Sequence, residues 1–255
     1  GVTTNTPLTC SATAIDPDGG SPTIVYSWTN GSSAMGTGPS VALNSTLASP
    51  SDTITCTATA TDSDGATDWG ASSVSVENSA PTFSVGAMIT PSSGVTTSST
   101  LACSATASDI DGGTPTLSYV WSNSSSTIGS GSNITLSSST ASPSDTITCT
   151  VMATDSDGAS VVSTDSVSVD NTDPAVASVS ISPSSGVKVT STLTCSATAT
   201  DSDGGSPTIS YEWTNGSSTL GASSSLTLSA STASSGDTIT CTATATDADG
   251  GTDTG

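Results

Sequence analysis

The sequence predicts an all-β protein built from tandem β-sandwich domains, each held together by one disulfide. Three observations predict this fold: a repeat of about 93 residues, cysteines at a constant spacing, and short segments in which apolar and polar residues alternate. Alternation with a period of two is typical of half-buried strands, and turn-forming Gly, Ser, Asn and Pro separate the segments. No segment shows a helical period.

The strands are clearest in the first repeat. Apolar and polar residues alternate over 8–14 and again over 54–60, while Ile24, Tyr26 and Trp28 share one face of a further segment. Each of these segments is therefore predicted to be a strand with one face in the core.

Cysteines and tryptophans define the repeat. Cys10, Cys103 and Cys195 are separated by 93 and 92 residues, and a tryptophan follows each of them after 18 residues. A period of this length fits one small domain per repeat. We expect repeat 1 over 1–78, repeat 2 over 79–171 and repeat 3 over 172–255, with the first strand of repeat 1 and the last strand of repeat 3 missing.

The second cysteine of each repeat follows the first after 46 residues. Six cysteines allow 15 pairings, and the repeat favours one of them: Cys10–Cys56, Cys103–Cys149 and Cys195–Cys241. Closing such a loop stabilises the fold by about 4 kcal/mol in the chain-entropy description. Three disulfides predict an oxidising compartment and an extracellular location; free buried thiols in a cytosolic protein are the alternative.

The net charge of −21, with Lys188 as the one basic residue, limits the partners. Nucleic-acid binding needs Lys and Arg for phosphate contacts, and anionic membranes attract basic segments. No apolar run is long enough to span a bilayer, so no membrane insertion is expected. Cations are the natural partners of so acidic a chain.

The order Cys, Trp, Cys resembles the core of immunoglobulin domains, in which the cysteines lie on strands B and F and the tryptophan on strand C. Ile54, Ile147 and Ile239 stand where antibody domains carry a tyrosine. The segment 12–28, with its Asp-x-Asp-Gly turn followed by Tyr-x-Trp, resembles the polycystic-kidney-disease (PKD) and cadherin-like repeats of microbial surface proteins. The resemblance implies tandem immunoglobulin-like β-sandwich domains and, as in cadherin-like repeats, Ca²⁺ between them.

An Asp-x-Asp-Gly motif begins six residues after every cysteine. The six copies start at Asp16, Asp62, Asp109, Asp155, Asp201 and Asp247. In an immunoglobulin-like sandwich the loops after strands B and F lie at the same end, so two motifs face each other in each repeat. Four carboxylates at one end favour a hard cation such as Ca²⁺. The alternative is that the motif only makes turns, which Asp and Gly favour.

The linkers 77–81 and 170–174 carry further oxygen ligands ahead of a proline and are predicted to land on the aspartates of the following repeat. The predicted Ca²⁺ ligands of the first junction are Glu77, Asn78, Asp109, Asp111, Asp155 and Asp157. Those of the second junction are Asp170, Asn171, Asp173, Asp201, Asp203, Asp247 and Asp249. In repeat 1 the equivalent predicted ligands are Asp16, Asp18, Asp62 and Asp64.

Catalysis is poorly supported, because there is no histidine and the paired aspartates recur in all three repeats. No catalytic residue and no cofactor besides Ca²⁺ is expected. The tryptophans are predicted to pack on the disulfides; sugar stacking is the alternative.

The sequence therefore predicts a structural module of an extracellular filament or of a cell-surface adhesin stalk, made rigid by Ca²⁺ at the ends and junctions of its domains. Self-association into a longer array or filament is expected. The alternatives are carbohydrate-binding accessory repeats of a secreted hydrolase, which would bind glycans through a row of exposed aromatic residues, and an immunoglobulin-like decoration of a virus particle.

Overall fold

The computed structural model describes residues 1–255, which form twenty β-strands and no helix. The predicted all-β fold is confirmed. The chain contains no helix of the length and apolarity that crossing a membrane requires.

Repeat 1 contains six strands in two sheets. They are β1 (Pro7–Thr9), β2 (Thr23–Asn30), β3 (Ser33–Thr37), β4 (Ser40–Ala42), β5 (Thr53–Thr61) and β6 (Thr67–Ser75). One sheet has the order β3-β2-β5-β6, and the other pairs β1 with β4. All neighbours in these sheets are antiparallel, and Trp28 lies opposite Cys56 in the pairing of β2 with β5.

Repeat 2 contains seven strands. They are β7 (Thr82–Thr90), β8 (Thr100–Ser108), β9 (Thr116–Ser122), β10 (Thr127–Ser130), β11 (Asn133–Thr135), β12 (Thr146–Thr154) and β13 (Ser160–Ser168). The sheets have the orders β11-β8-β7 and β10-β9-β12-β13.

Repeat 3 also contains seven strands. They are β14 (Ala175–Ser182), β15 (Thr192–Thr200), β16 (Thr208–Asn215), β17 (Ser218–Gly221), β18 (Ser225–Thr227), β19 (Ile239–Thr246) and β20 (Thr252–Thr254). The sheets have the orders β14-β15-β18 and β17-β16-β19-β20. Strand order and connections match those of repeat 2, so the two repeats share one topology. The last strand of repeat 3, which the sequence predicts to be missing, is present as the three-residue β20, paired with β19.

This topology is immunoglobulin-like. In repeat 2, β7, β8 and β11 take the places of strands A, B and E, and β10, β9, β12 and β13 those of C′, C, F and G. The first cysteine lies on B and the second on F, as the resemblance implied. The fold class is therefore that of immunoglobulin-like β-sandwiches with one disulfide in each repeat.

The predicted cysteine pairs form all three disulfides: Cys10–Cys56, Cys103–Cys149 and Cys195–Cys241. The tryptophan of each repeat is buried, with Trp28 4% exposed and Trp121 and Trp213 fully enclosed. Each indole N–H donates to a backbone carbonyl ten residues further along the chain, at 2.8 to 2.9 Å. These tryptophans are core residues, because the disulfide and the sheets cover their rings.

One strand is shorter than the sequence predicts. Alternation over 8–14 predicts a strand there, yet β1 ends at Thr9. The equivalent β8 and β15 are nine residues long, and each pairs with a further strand, β7 or β14. Residues 10–15 have no such partner, so their backbone does not form a ladder.

The contacts divide the chain into two compact units. The first contains Gly1–Met88, Ser104–Tyr119 and Thr150–Thr164, and the second contains Ile89–Cys103, Val120–Cys149 and Asp165–Gly255. Each unit includes one complete junction between successive repeats. The division follows contacts rather than the sequence period, so the predicted boundaries after residues 78 and 171 stay a prediction.

Candidate functional site at the repeat junctions

The six Asp-x-Asp-Gly motifs form the same turn. In each motif Oδ1 of the first aspartate accepts the backbone N–H two residues further on, at 2.9 Å. In the three loops after strand F it also accepts the N–H four residues further on, at 2.8 Å. One oxygen of each first aspartate is thus used by its own loop, and Oδ2 is left for other partners.

At the first junction, residues from repeat 1 and the linker contact two aspartates of repeat 2. The Asn78 amide donates to Asp155 Oδ2 at 3.0 Å. The backbone N–H of Ser79 donates to Asp111 Oδ2. The hydroxyl of Thr4 donates to Asp111 Oδ1 at 2.6 Å. Asp111 and Asp155 are 9% and 8% exposed, so both carboxylates are buried where the repeats meet.

The second junction repeats this set of contacts. The Asn171 amide donates to Asp247 Oδ2 at 3.0 Å, and the Thr172 N–H donates to Asp203 Oδ2. The hydroxyl of Thr97 donates to Asp203 Oδ1 at 2.6 Å. The same three hydrogen bonds occur at both junctions, so the contacts belong to the repeat.

Two side-chain oxygens at the junctions have no hydrogen-bond donor. Asn78 Oδ1 and Asn171 Oδ1 are buried and unpaired, while the nitrogens of the same amides contact aspartates. A buried unsatisfied acceptor costs about 1–3 kcal/mol. Such a group in a folded protein points to strain or to a water molecule or ion that it binds. Its recurrence at the same position of both junctions favours a bound species.

Contacts at the junctions lower the pKa of one aspartate in each, Asp155 and Asp247. The Asn78 amide lowers the pKa of Asp155, and nearby backbone N–H groups add to this against the opposing effect of burial. The Asn171 amide lowers the pKa of Asp247 in the same way. No basic side chain contributes at either junction; the one ion pair of the chain joins the N-terminal ammonium to Glu77 at 3.8 Å. The junctions are therefore anionic and lack a protein counter-charge.

The structure brings together some of the predicted ligands and not others. Asn78, Asp111 and Asp155 meet at the first junction, and Asn171, Asp203 and Asp247 at the second. Of the other predicted junction ligands, five have exposed side chains: Glu77, Asp157, Asp170, Asp173 and Asp249. Asp109 and Asp201 are partly buried and accept hydrogen bonds within their own turns. No group of three or more Asp, Glu, His or Cys side chains has the arrangement of a metal site. In the equivalent loops of repeat 1, Asp16 and Asp62 accept hydrogen bonds from their own loops, and Asp18 and Asp64 are exposed.

Asp173 nevertheless lies close to the second junction. Its Oδ1 is 2.6 Å, and Asn171 Nδ2 is 2.8 Å, from the point that a Cβ atom on Gly251 would occupy. Asp247 Oδ2 lies against the same point. A glycine at 251 therefore leaves room for polar groups from the linker and from the loop after strand F.

The sequence did not reveal two of the junction residues. Thr4 and Thr97 are 0% and 1% exposed although they lie in loops, because each inserts its hydroxyl against the next repeat. Both stand three residues after the glycines at 1 and 94, which are equivalent in the repeat. The sequence did contain one sign of these contacts: a threonine stands at the same position of repeats 1 and 2, at the end of the repeat that faces the following linker.

No protein-family model and no curated protein matches the sequence. Among solved structures, the three N-terminal domains of the highly immunogenic outer capsid protein of bacteriophage RB49 are 16% identical, with 96% of this chain and 88% of that chain covered and a TM-score of 0.29. A Ca²⁺-stabilised adhesin with which an Antarctic bacterium binds ice is 16% identical, with 92% and 64% covered and a TM-score of 0.31. Extracellular domains 3–5 of Drosophila OTK are 12% identical, with 100% and 91% covered and a TM-score of 0.27. These likenesses assign no function, so function is inferred from the junction contacts.

Proposed function

We propose that the chain is a structural module of an extracellular filament or adhesin stalk, in which Ca²⁺ at each junction holds successive repeats in a fixed relation. The observation that carries this proposal is the pair of buried, unpaired amide oxygens, Asn78 Oδ1 and Asn171 Oδ1, beside ionised aspartates. The PKD and cadherin-like resemblance stays a prediction that agrees with it.

The donor set fits Ca²⁺ in its chemistry. Asn78, Asp111 and Asp155 offer an amide oxygen and carboxylate oxygens, and Ca²⁺ prefers six to eight oxygen ligands. Water would complete the coordination, since two carboxylates and one amide fill only part of it. Transition metals are disfavoured, because the chain has no histidine and all six cysteines form disulfides.

A bound cation would act on the joint between repeats. Asp111 belongs to the loop after strand B and Asp155 to the loop after strand F, whereas Asn78 belongs to the linker. An ion held by all three ties the linker to both loops and offsets the repulsion between the carboxylates. Binding of this kind stabilises only the arrangement that forms the site.

The remaining features agree with a mechanical role outside the cell. Three disulfides are typical of proteins in an oxidising compartment. Repeats 2 and 3 share one topology, and both junctions have the same contacts, which suits a scaffold better than a single active site. We therefore keep the prediction that the chain is not an enzyme. Glycan binding through a row of aromatic residues has less support, because three of the four tryptophans are buried.

The test is thermal unfolding of the whole chain with Ca²⁺ and with a chelator. At a Ca²⁺ concentration 100 times Kd, the bound state gains about 2.7 kcal/mol, so Tm should rise by several degrees. Asp155→Asn should abolish the part of this rise that belongs to the first junction. Asp157→Asn is the matched control, because it changes an exposed carboxylate in the same loop. Equal melting curves with and without Ca²⁺ for the unaltered chain would refute the proposal.

A further inference from the structure

Some asparagines of the chain stand in Asn-x-Ser/Thr sequences, the acceptor pattern of N-linked glycosylation. The pattern arises easily in a chain so rich in serine and threonine, and the sequence alone does not rank its copies. The structure does rank them, because sugar transfer needs an amide nitrogen at the surface that the fold does not use. The asparagines concerned are Asn30, Asn44, Asn123, Asn133 and Asn215.

Three of these asparagines serve the fold. Asn30, Asn123 and Asn215 are equivalent in the three repeats, and each is partly buried. Each Nδ2 donates to the backbone carbonyl 17 residues further along the chain, at 3.0 to 3.1 Å. Asn30 and Asn215 donate from the same nitrogen to an aspartate as well, at 2.6 and 2.7 Å. A sugar on any of these nitrogens would displace contacts that recur in every repeat.

Asn133 is exposed but lies in a strand. Its acceptor sequence is the whole of β11, which pairs with β8, and the Thr135 hydroxyl contacts that of Thr100 at 3.0 Å. A transferase that must reach the amide nitrogen and the hydroxyl two residues away finds them in a surface loop more readily than in a paired strand. Asn133 is therefore a poorer acceptor than an asparagine in an exposed turn.

Asn44 lies in such a turn, between β4 and β5. Asn44, Ser45 and Thr46 are all exposed. Asn44 Oδ1 accepts the backbone N–H of Thr46 at 2.9 Å and the Thr46 hydroxyl at 2.6 Å, whereas its Nδ2 makes no hydrogen bond within the chain. Leu43 and Ala48 are buried and anchor the two ends of the turn in the core. The amide nitrogen is thus presented at the surface on a fixed base.

The turn forms equally well without an asparagine. In repeats 2 and 3 it begins with Ser137 and Ser229, whose hydroxyls contact the hydroxyls two residues further on at 2.8 Å. In all three repeats the carbonyl of the first residue accepts the backbone N–H groups three and four residues further on. Asn44 therefore adds an amide nitrogen that has no part in forming the turn.

We propose that Asn44 is the N-glycosylation site of the chain. In the transfer, Asn44 Nδ2 attacks C1 of a sugar carried on a polyprenyl phosphate or diphosphate. The N–C1 bond forms while the bond from C1 to the carrier oxygen breaks, and the carrier leaves with that electron pair. The amide proton passes to a carboxylate of the transferase, so the step needs no oxidant or reductant.

The glycan would stand beside the first junction. Ser45 Cβ lies 3.4 Å from the point that a Cβ atom on Gly112 would occupy, which places the turn close to the loop after strand B of repeat 2. Ser138 has the same position against Gly204 at the second junction, where the turn has no asparagine. One junction would thus carry a sugar and the other would not. The inference does not involve Ca²⁺, so it stands or falls independently of the junction proposal.

The test is the occupancy of each acceptor sequence in the whole chain secreted from a eukaryotic cell. Peptide-N-glycosidase in isotopically labelled water converts every glycosylated asparagine to a labelled aspartate, which peptide mass spectrometry then counts. We expect a glycan on Asn44 in most molecules and on each of the other four asparagines in few. No glycan on Asn44, or another site modified as often as Asn44, would overturn the proposal.

A gain-of-function variant separates the turn from the acceptor pattern. Ser137→Asn creates the pattern in the equivalent turn of repeat 2, because two serines follow it. This variant should gain a glycan there, since the turn has the same backbone hydrogen bonds as the turn at Asn44. A Ser137→Asn chain without a second glycan would contradict the role assigned to the turn.

Stability distinguishes an asparagine that serves the fold from one that is free to be modified. In chains made without glycosylation, Asn44→Ser should leave Tm unchanged, because repeats 2 and 3 already carry serine at this position. Asn30→Ser should lower Tm, because it removes the hydrogen bonds to Leu47 and Asp52. An equal fall of Tm in both variants would show that Asn44 serves the fold and would contradict the proposal.

Discussion

The two junctions share their hydrogen bonds, but among the positions at which they differ two share one space. The first has Ala80 in the linker and Ala159 after the Asp-x-Asp-Gly turn, where the second has Asp173 and Gly251. A methyl group at 251 would collide with Asp247 Oδ2 and lie 2.6 Å from Asp173 Oδ1. The second junction thus has the Asp173 carboxylate where the first has the Ala80 methyl group, and Gly251 leaves the room that Ala159 fills in the first. The comparison teaches that a paired change can add a carboxylate beside the junction while the contacts around it are kept.

The exchange changes the electrostatics of the joint. With Asp173 added, three carboxylates, from Asp173, Asp203 and Asp247, lie at or beside the second junction, against two at the first. Mutual repulsion should weaken the second junction when no cation is bound, whereas each added carboxylate strengthens Ca²⁺ binding. We therefore expect the second junction to depend more steeply on Ca²⁺ than the first.

The largest expected effect is steric. Gly251→Ala places a methyl group among Asp247, Asp173 and Asn171, and overpacking of this kind costs about 1–3 kcal/mol. Adding Asp173→Ala should restore most of the lost free energy of unfolding, because the pair then matches the first junction. Urea unfolding of both single variants and the double variant measures the coupling. Additive losses would show that the two positions do not share a space.

The next effect concerns Ca²⁺ affinity. Asp173→Ala should weaken Ca²⁺ binding at the second junction about tenfold, which corresponds to about 1.4 kcal/mol. Isothermal titration calorimetry of the whole chain resolves the two classes of site. Asp170→Ala is the matched control, since Asp170 belongs to the same linker but, unlike Asp173, is not among the groups nearest to Gly251.

The reverse exchange sharpens the comparison. Ala80→Asp with Ala159→Gly should give the first junction the affinity of the second. If Ala80→Asp alone raised the Ca²⁺ affinity as much as the double variant, the methyl group of Ala159 would not be what limits Ca²⁺ binding at the first junction.

The threonine contacts give a smaller effect. Thr97→Val removes the hydroxyl that donates to Asp203. Losing this donor costs about 1–3 kcal/mol when nothing replaces the hydroxyl, and about 1 kcal/mol when water replaces it. Since Asp203 is partly exposed, we expect the lower figure, measured by chemical denaturation. Repeat 3 carries Val189 at this position, so valine itself is compatible with the loop. Thr96→Val, which changes the neighbouring residue, serves as the control.

Much of the architecture follows from local sequence patterns. Alternation and turn residues predict the strands, and constant spacing predicts the disulfides, because both depend on residues close in the chain or on the repeat itself. The length of β1 could not be predicted this way. Residues 10–15 have the alternation of a strand, but a ladder also needs a neighbouring strand.

The junctions show the same limit. The sequence predicted that the linkers reach the aspartate loops, but it did not predict which carboxylates point toward the linker. In the loop after strand B the second aspartate, Asp111, faces the linker, whereas in the loop after strand F it is the first, Asp155. The two loops differ in length and in the hydrogen bonds that hold the first aspartate, so one motif presents different side chains. Asp157 is consequently exposed.

The smallest effect is the pH dependence of the amide contacts. Because Asn78 lowers the pKa of Asp155, and Asn171 that of Asp247, each contact stabilises the folded state where the carboxyl is ionised in both states. This contribution is complete above the ordinary aspartate pKa of about 4 and is lost as the pH falls through the lowered value. Asn78→Ala should therefore reduce stability at pH 6, and the difference from the unaltered chain should shrink progressively below pH 4. A difference that stayed constant to pH 2 would show that the amide acts by packing and not through the charge of Asp155.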